Sequence, residues 1–190
     1  MLAVLLPVLA YYLGSICSAI VVCRLWHLPD PRSEGSENPG TTNVYRIGGK
    51  WPALATFSFD MLKGLLPVLL AVSMEQPEIV VALCGVCACL GHIFPLFFSF
   101  KGGKAVATGF GVVLALEWLI GAFLILVWLG IMKKIRISSI AAIITVSLAP
   151  ILAWLIQSPW FMSMTLMSCT IVLRHLPNIR RLWEGSELKA

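Results

Sequence analysis

The chain has 190 residues, of which 59% are hydrophobic and only 12% charged, and its mean hydropathy is +0.92. Soluble domains carry roughly 25% charged residues, so an ordinary water-soluble globule is excluded. The apolar runs are too continuous for the period-two strands of a membrane barrel. The expected class is therefore all-α: a polytopic integral membrane helical bundle forming one domain over 1–190, in which each helix satisfies its own backbone groups in lipid.

A span needs roughly 20 apolar residues. The first expected span runs from Leu2 to Cys23, with Gly14, Ser15 and Ser18 as small positions for close helix approach. No basic residue precedes it, the first being Arg24, so it reads as a retained span and not a cleaved signal peptide. The stretch Arg32 to Lys50, RSEGSENPGTTNVYRIGGK, then interrupts the apolar chain. Glycines here permit turns and close backbone approach. Successive backbone N–H groups in such turns make anion-binding concavities, and arginine adds a planar fork for phosphate oxygens. Ser36, Asn38, Thr41, Thr42 and Asn43 add hydrogen-bonding groups suited to an anion or a hydroxyl-bearing ligand.

The second span is expected from Trp51 to Ser73 and carries Asp60 and Lys63 three residues apart on one helix face. Charges within a span face the bundle interior or a polar pathway, and this pair reads either as a brace for the site or as a simple structural ion pair. The third span is expected from Ile79 to Phe100. All six cysteines lie within apolar runs. Cys84, Cys87 and Cys89 beside His92 read as small packing residues in preference to a metal cluster, and no metal or other cofactor is expected.

Lys101-Gly102-Gly103-Lys104 ends the third run. With Thr108 it forms a basic, glycine-rich element at a helix start, where unpaired N–H groups and the macrodipole favour phosphate. It lacks the P-loop spacing. The following apolar region, 105–132, is too long for one span. Glu117 and Gly121 divide it into two, roughly 105–117 and 119–132. A sixth span is expected from Ile137 to Ile156, opening on Arg136 with Ser138 and Ser139, and a seventh from Pro159 to Leu173. After it comes a polar tail containing Arg174, His175, Asn178, Arg180 and Arg181. Seven spans place 13 of the 14 Lys and Arg on one side. By the positive-inside rule that side, with the C-terminus, is cytoplasmic and the N-terminus lies outside.

Several of these elements together resemble a known family. Gly35-Ser36-Glu37-Asn38-Pro39-Gly40-Thr41-Thr42-Asn43-Val44, Asp60-Met61-Leu62-Lys63-Gly64, Gly91-His92 through Thr108, and Asn178-Ile179-Arg180-Arg181-Leu182 are similar, in order, to the bacterial acyl-phosphate:glycerol-3-phosphate acyltransferase (PlsY) family. The resemblance implies a seven-span, multi-pass protein of the bacterial inner membrane with its site facing the cytoplasm. It also implies transfer of a fatty acyl group from acyl phosphate to the 1-position of glycerol 3-phosphate, giving lysophosphatidic acid for phospholipid synthesis. Expected partners are those two substrates and membrane lipids, with no nucleic acid and no obligate protein.

The family's Ser-Gly-Asn-x-Gly-Ala-Thr-Asn element falls on Ser36 to Asn43, its following arginine on Arg46, and its Lys-Gly-Gly-Lys-Gly element on Lys101 to Ala105. Glu37, Thr41 and Ala105 depart from the family's Gly, Ala and Gly. Ala105 at a helix start is harmless if its φ is helical, and a Glu37 carboxylate beside a phosphate pocket opposes binding unless it points outward. From the resemblance and the polar constellations, the candidate catalytic residues are Ser36, Arg46, Lys104, Ser139, His175 and Asn178. Candidate phosphate-binding residues are Asn38, Gly40, Thr42, Asn43, Lys101, Gly102, Gly103, Thr108 and Ser138. A substrate phosphate oxygen, Ser36 or His175 could take the proton from the attacking hydroxyl. The competing class is a transporter for a phosphorylated solute, which would place its site near the midplane between related halves.

Overall fold

The computed structural model describes residues 2–189, and among these every regular element is helical. The order is α1 (Leu2–Gly14), α2 (Ser18–Leu25), α3 (Thr41–Gly48), α4 (Lys50–Ser73), α5 (Glu78–Ile93), a 3-10 turn (Leu96–Phe98), α6 (Val106–Leu116), α7 (Trp118–Ile135), α8 (Ser138–Leu155), α9 (Phe161–Arg174) and α10 (Leu176–Trp183). The core joins α1 and α4 through α9, with Ala10, Val68, Cys84, Ala88, Phe110, Leu124, Val146 and Met164 among its members. Large apolar side chains such as Val4, Ile79, Leu126 and Met162 point outward, as lipid-facing surfaces require.

Two helix pairs that are not consecutive in the chain approach at backbone distance. A Cβ at Gly14 or Gly91 would collide with the Ala88 or Tyr11 carbonyl, which sets α1 against α5. A Cβ at Gly64 or Gly111 would collide with the Thr108 or Met61 carbonyl, which sets α4 against α6. Lipid supplies no hydrophobic drive between helices, so small residues that admit such contact hold the bundle by packing.

The region 105–132 does divide at Glu117, where the chain leaves helical backbone at φ −144°. Gly121 then packs against Leu114, its Cβ position 2.7 Å from the Leu114 amide nitrogen, so the chain folds back at once. The expected first span differs. It is two helices bent by 41° across 15–17. The break frees the Ile16 carbonyl, and Lys63 Nζ donates to it at 2.9 Å while pairing with Asp60 Oδ1 at 2.8 Å. The third span runs close to its expected length, Glu78 to Phe98, but its α-helix ends at Ile93 and a 3-10 turn completes it, because Pro95 disfavours helical backbone just before it. Among the described residues, four segments are long and apolar enough to cross a membrane, α4, α5 with the 3-10 turn after it (Glu78–Phe98), α7 and α8, and the bent α1–α2 pair makes a fifth candidate. The apolar helices α6 and α9, with 11 and 14 residues, are shorter.

Two short helices fall where the sequence suggests only polar connection. α3 occupies the second half of the glycine-rich stretch, and Val44 seals it against Cys17, Ile20 and Cys23 of the first helical pair and Ala53 of α4. α10 begins one residue after α9, with Pro177 in its first turn and Asn178 buried. Eight-residue helices are unstable alone, so packing holds them. Ala105 is not helical. It sits at φ +60°, ψ 22°, the left-handed region, where the family's glycine carries no steric cost. Glu37 also has positive φ, +57°, and its side chain is exposed.

Candidate active site

One cleft collects residues from α3, α4, the segment before α6, α7, α8, α10 and the tail. The polar stretch before α3 owes its shape to Asn43. Its Nδ2 donates to the carbonyls of Pro31 (2.8 Å) and Glu34 (2.9 Å), and its Oδ1 accepts from the Ser36 amide at 2.8 Å. Gly35 lies so close to this amide that a Cβ would strike Asn43 Oδ1. Asn43 therefore folds the loop, which presents Ser36, Asn38, Gly40, Thr41 and Thr42 to the cleft, with Arg46 one turn further along α3. Arg32 is engaged elsewhere, with Asp30 at 2.7 Å.

The Lys101–Lys104 element separates into two roles. Gly102 and Gly103 are buried against the end of α5, where side chains would collide with the His92 carbonyl and the His92 ring. The Gly103 amide donates to the His92 carbonyl at 3.2 Å. Lys101 is exposed, and neither it, Gly102, Gly103 nor Thr108 lines the cleft; Lys104 does. Thr108 is buried beneath, its hydroxyl 3.2 Å from His92 Nδ1, which lies 3.5 Å from Asp60 Oδ1. Asp60 and His92 both reach the cleft wall. The Asp60–Lys63 pair is thus continuous with the site, through a histidine that the sequence shows only within a family motif and beside cysteines.

On the opposite side, α8 opens with Ser138 and Ser139, and the α9–α10 junction supplies His175, Asn178 and Arg181. His175 Nδ1 lies 2.8 Å from the Ile171 carbonyl. A carbonyl only accepts, so Nδ1 carries the proton and Nε2 is left as an acceptor. Burial pushes the imidazole down to about 4 despite that carbonyl, which keeps it neutral at neutral pH. Burial likewise pushes the Lys104 ammonium down to about 8, the nearby Glu187 carboxylate opposing it.

Glu187 has no counterpart among the sequence-derived candidates, yet its carboxylate takes three donors in the cleft. Ser139 Oγ (2.8 Å) and Asn178 Nδ2 (2.6 Å) donate to its Oε1, and Arg181 Nε pairs with its Oε2 at 2.7 Å. Thr41 Oγ1 and Asn178 Oδ1 are buried without a hydrogen-bond partner among the described residues. The remaining wall is apolar, formed by Phe57, Val106, Ala107, Phe110, Trp128 and Ala142, with the Phe110 and Trp128 rings edge to face at 6.4 Å. The site joins a cationic, hydroxyl-bearing end to an apolar end suited to a hydrocarbon chain.

An all-helical bundle with outward apolar faces defines an integral membrane protein, and its cleft sets cationic and hydroxyl side chains beside an apolar wall. A glycerol-3-phosphate acyltransferase family model matches residues 4–185. A glycerol-3-phosphate acyltransferase of Pseudoalteromonas translucida is 51% identical, the match covering 100% of this chain and 93% of the relative. That of Idiomarina loihiensis is 50% identical over 98% of this chain and 95% of the relative. The crystal structure of PlsY (YgiH), an integral membrane glycerol 3-phosphate acyltransferase, in its glycerol 3-phosphate form superposes with a TM-score of 0.95 at 38% identity, covering 100% of this chain and 96% of that one. Its lysophosphatidic acid form gives 0.93 at 37%, covering 100% and 95%. The chain belongs to the glycerol-3-phosphate acyltransferase family.

Proposed function

We propose that this chain, acting as one unit over 1–190, transfers a fatty acyl group from acyl phosphate to the sn-1 hydroxyl of glycerol 3-phosphate. The products are lysophosphatidic acid and inorganic phosphate. The observation that carries this reading is the two-ended cleft, in which Arg46, Lys104, Arg181 and the hydroxyls of Ser36, Thr42 and Ser139 face an apolar wall containing Phe57, Phe110 and Trp128. Both substrates bear phosphate, which matches the cationic end, and the acyl chain matches the apolar end.

In this mechanism the glycerol hydroxyl oxygen attacks the acyl carbonyl carbon, and the bond from that carbon to the phosphate oxygen breaks with its electron pair leaving on phosphate. The donor is a mixed anhydride with its leaving group already installed, so no enzyme nucleophile is needed. Arg46 and Lys104 hold two like-charged reactants in attack geometry, an approximation effect on the order of several kcal/mol, and donors at the reacting oxygens stabilise charge as it develops. Burial lowers the His175 imidazole below the working pH, whereas an effective base titrates close to it, which favours a substrate phosphate oxygen as the acceptor. The free Nε2 of His175 orients the hydroxyl, and the proton passes to a phosphate oxygen, whose second ionisation lies near pH ~6.

The basic segments 24–50, 100–104, 133–136 and 174–190 favour seven crossings of the bacterial inner membrane, N-terminus outside and cleft facing the cytoplasm. The test of function is to supply purified protein with glycerol 3-phosphate and acyl phosphate, acyl-CoA or no donor. Lysophosphatidic acid is expected from acyl phosphate alone. Radiolabelled acyl phosphate without glycerol 3-phosphate is expected to leave no stoichiometric label on the protein. Product from acyl-CoA only, or an acyl-serine discharged by added glycerol 3-phosphate, contradicts the proposal.

A further inference from the structure

The oxyanion end of the cleft already holds an anion, and that anion belongs to the chain. The Glu187 side chain is 7% exposed, although it lies in a polar tail beyond the last helix. Its carboxylate takes donors from Ser139 on α8 and from Asn178 and Arg181 on α10. Arg46 of α3 fastens the same tail, its Nε and Nη2 donating to the Lys189 and Leu188 carbonyls at 3.2 Å each. These partners come from three helices, and four of them (Arg46, Ser139, Asn178 and Arg181) line the site proposed for substrate phosphate. A carboxylate and a phosphate ask for the same thing, charge-assisted N–H and O–H donors converging on two oxygens.

The way the tail is held points in the same direction. Leu188 remains 45% exposed, so apolar burial contributes little and the attachment rests on the polar contacts. α10 ends in a turn at Gly185, φ +70°, with the Ser186 amide donating to the Arg181 carbonyl at 2.8 Å. Among the described residues no neighbour lies within 4 Å of a Cβ placed on Gly185, so no side-chain packing fixes this turn. With the tail in place the cavity is about 100 Å³, below the roughly 300–1,000 Å³ of ligand pockets.

Building on the acyltransferase reading, we propose that Glu187 is an internal stand-in for a substrate phosphate. In the resting protein Glu187 occupies the Ser139–Asn178–Arg181 donor set while Leu188 and Lys189 hold Arg46, and the tail leaves when a phosphate group enters. The site is therefore self-competing, and the apparent affinity for phosphate is lowered by the fraction of time the tail is seated.

The test measures equilibrium binding of inorganic phosphate to the purified full chain and to Glu187→Gln, which keeps the side-chain shape but removes the charge. The expected result is tighter phosphate binding in Glu187→Gln by about tenfold, the factor for a site open roughly one-tenth of the time. A chain ending at Gly185 should behave the same way. KM measured separately for glycerol 3-phosphate and acyl phosphate should fall in these variants for the substrate whose phosphate the tail displaces. In the unaltered protein, saturating phosphate should speed amide hydrogen exchange of residues 186–189. Unchanged or weaker phosphate binding in the variants, or unchanged or slower tail exchange in the unaltered protein, overturns the proposal. These readouts need no turnover, so a failure of the acyltransferase reading, seen as no product from any donor, stays distinct from a failure of this one.

Discussion

At the residue scale, two side chains respond to measurable burdens. Lys104 has its ammonium lowered from 10.5 to about 8, chiefly by burial. Between those values the unfolded chain binds more protons than the folded one, so this group makes stability rise with pH across that window. Binding runs the other way, because phosphate needs the charged form. The dissociation constant of inorganic phosphate should therefore rise above about pH 8. Lys104→Arg, whose guanidinium does not titrate there, should flatten the profile, and an identical break in that variant would assign it to another group. Ala105 bears the second burden. Its left-handed backbone costs roughly 1–2 kcal/mol, partly offset because alanine restricts the unfolded chain by about 0.4–1 kcal/mol relative to glycine. Ala105→Gly should raise the thermal midpoint in detergent, by up to about 1.6 kcal/mol of stability on those figures, and a lowered midpoint would contradict a net steric cost at residue 105. The motif positions were legible in the sequence as residue types. Their division of labour was not. Asn43 ties the loop together, while Gly102 and Gly103 make room for His92, and both roles depend on neighbours far away along the chain.

At the element scale, the bend between α1 and α2 and the ion pair in α4 form one structure. Lys63 and Asp60 are 4% and 2% exposed, and Lys63 also satisfies the Ile16 carbonyl released by the bend. Removing one member of a buried pair costs about 3–5 kcal/mol, because the other charge is left without a partner. Lys63→Met should lower the thermal midpoint sharply, and adding Asp60→Asn should recover much of the loss. Equal destabilisation of the single and double variants would mean that the bond to Ile16, and not the pairing, is what matters. The break at Glu117 could be read from one acidic residue in an overlong apolar run. The break at 15–17 could not, since Gly14-Ser15 fits a close-packed straight helix equally well and the deciding partner, Lys63, lies 47 residues away from Ile16. α3 and α10 escaped notice for a related reason: their sequences are polar, and distant packing sustains them.

At the scale of the whole molecule, contacts gather the basic segments at one end. Arg46 reaches the tail carbonyls, and Arg174 Nη2 donates to the Gly102 carbonyl at 3.5 Å. Away from them, Ser158 Oγ donates to Glu117 Oε1 at 2.6 Å, which sets the α6–α7 turn beside the α8–α9 loop. Single cysteines placed at the exposed positions Glu75 and Gln157, in a background without native cysteines, should label from the periplasm, and those at Lys50 and Ser186 from the cytoplasm. Labelling of Glu75 and Lys50 from the same side would overturn the seven-crossing path.

The central claim is that the cleft between α3, α6, α8 and α10 holds the substrate phosphates during acyl transfer. Its most direct test is the rate of lysophosphatidic acid formation from acyl phosphate at low glycerol 3-phosphate, in Arg46→Lys and Lys104→Ala beside the unaltered protein. An ammonium cannot reproduce the two-pronged contact of a guanidinium, and loss of a charge-assisted hydrogen bond worth ~1.5–3 kcal/mol corresponds to a rate reduced roughly ten- to a hundredfold. Both variants are predicted to show losses of that size while remaining folded. Near-normal rates in both would contradict the claim and remove these residues from the site.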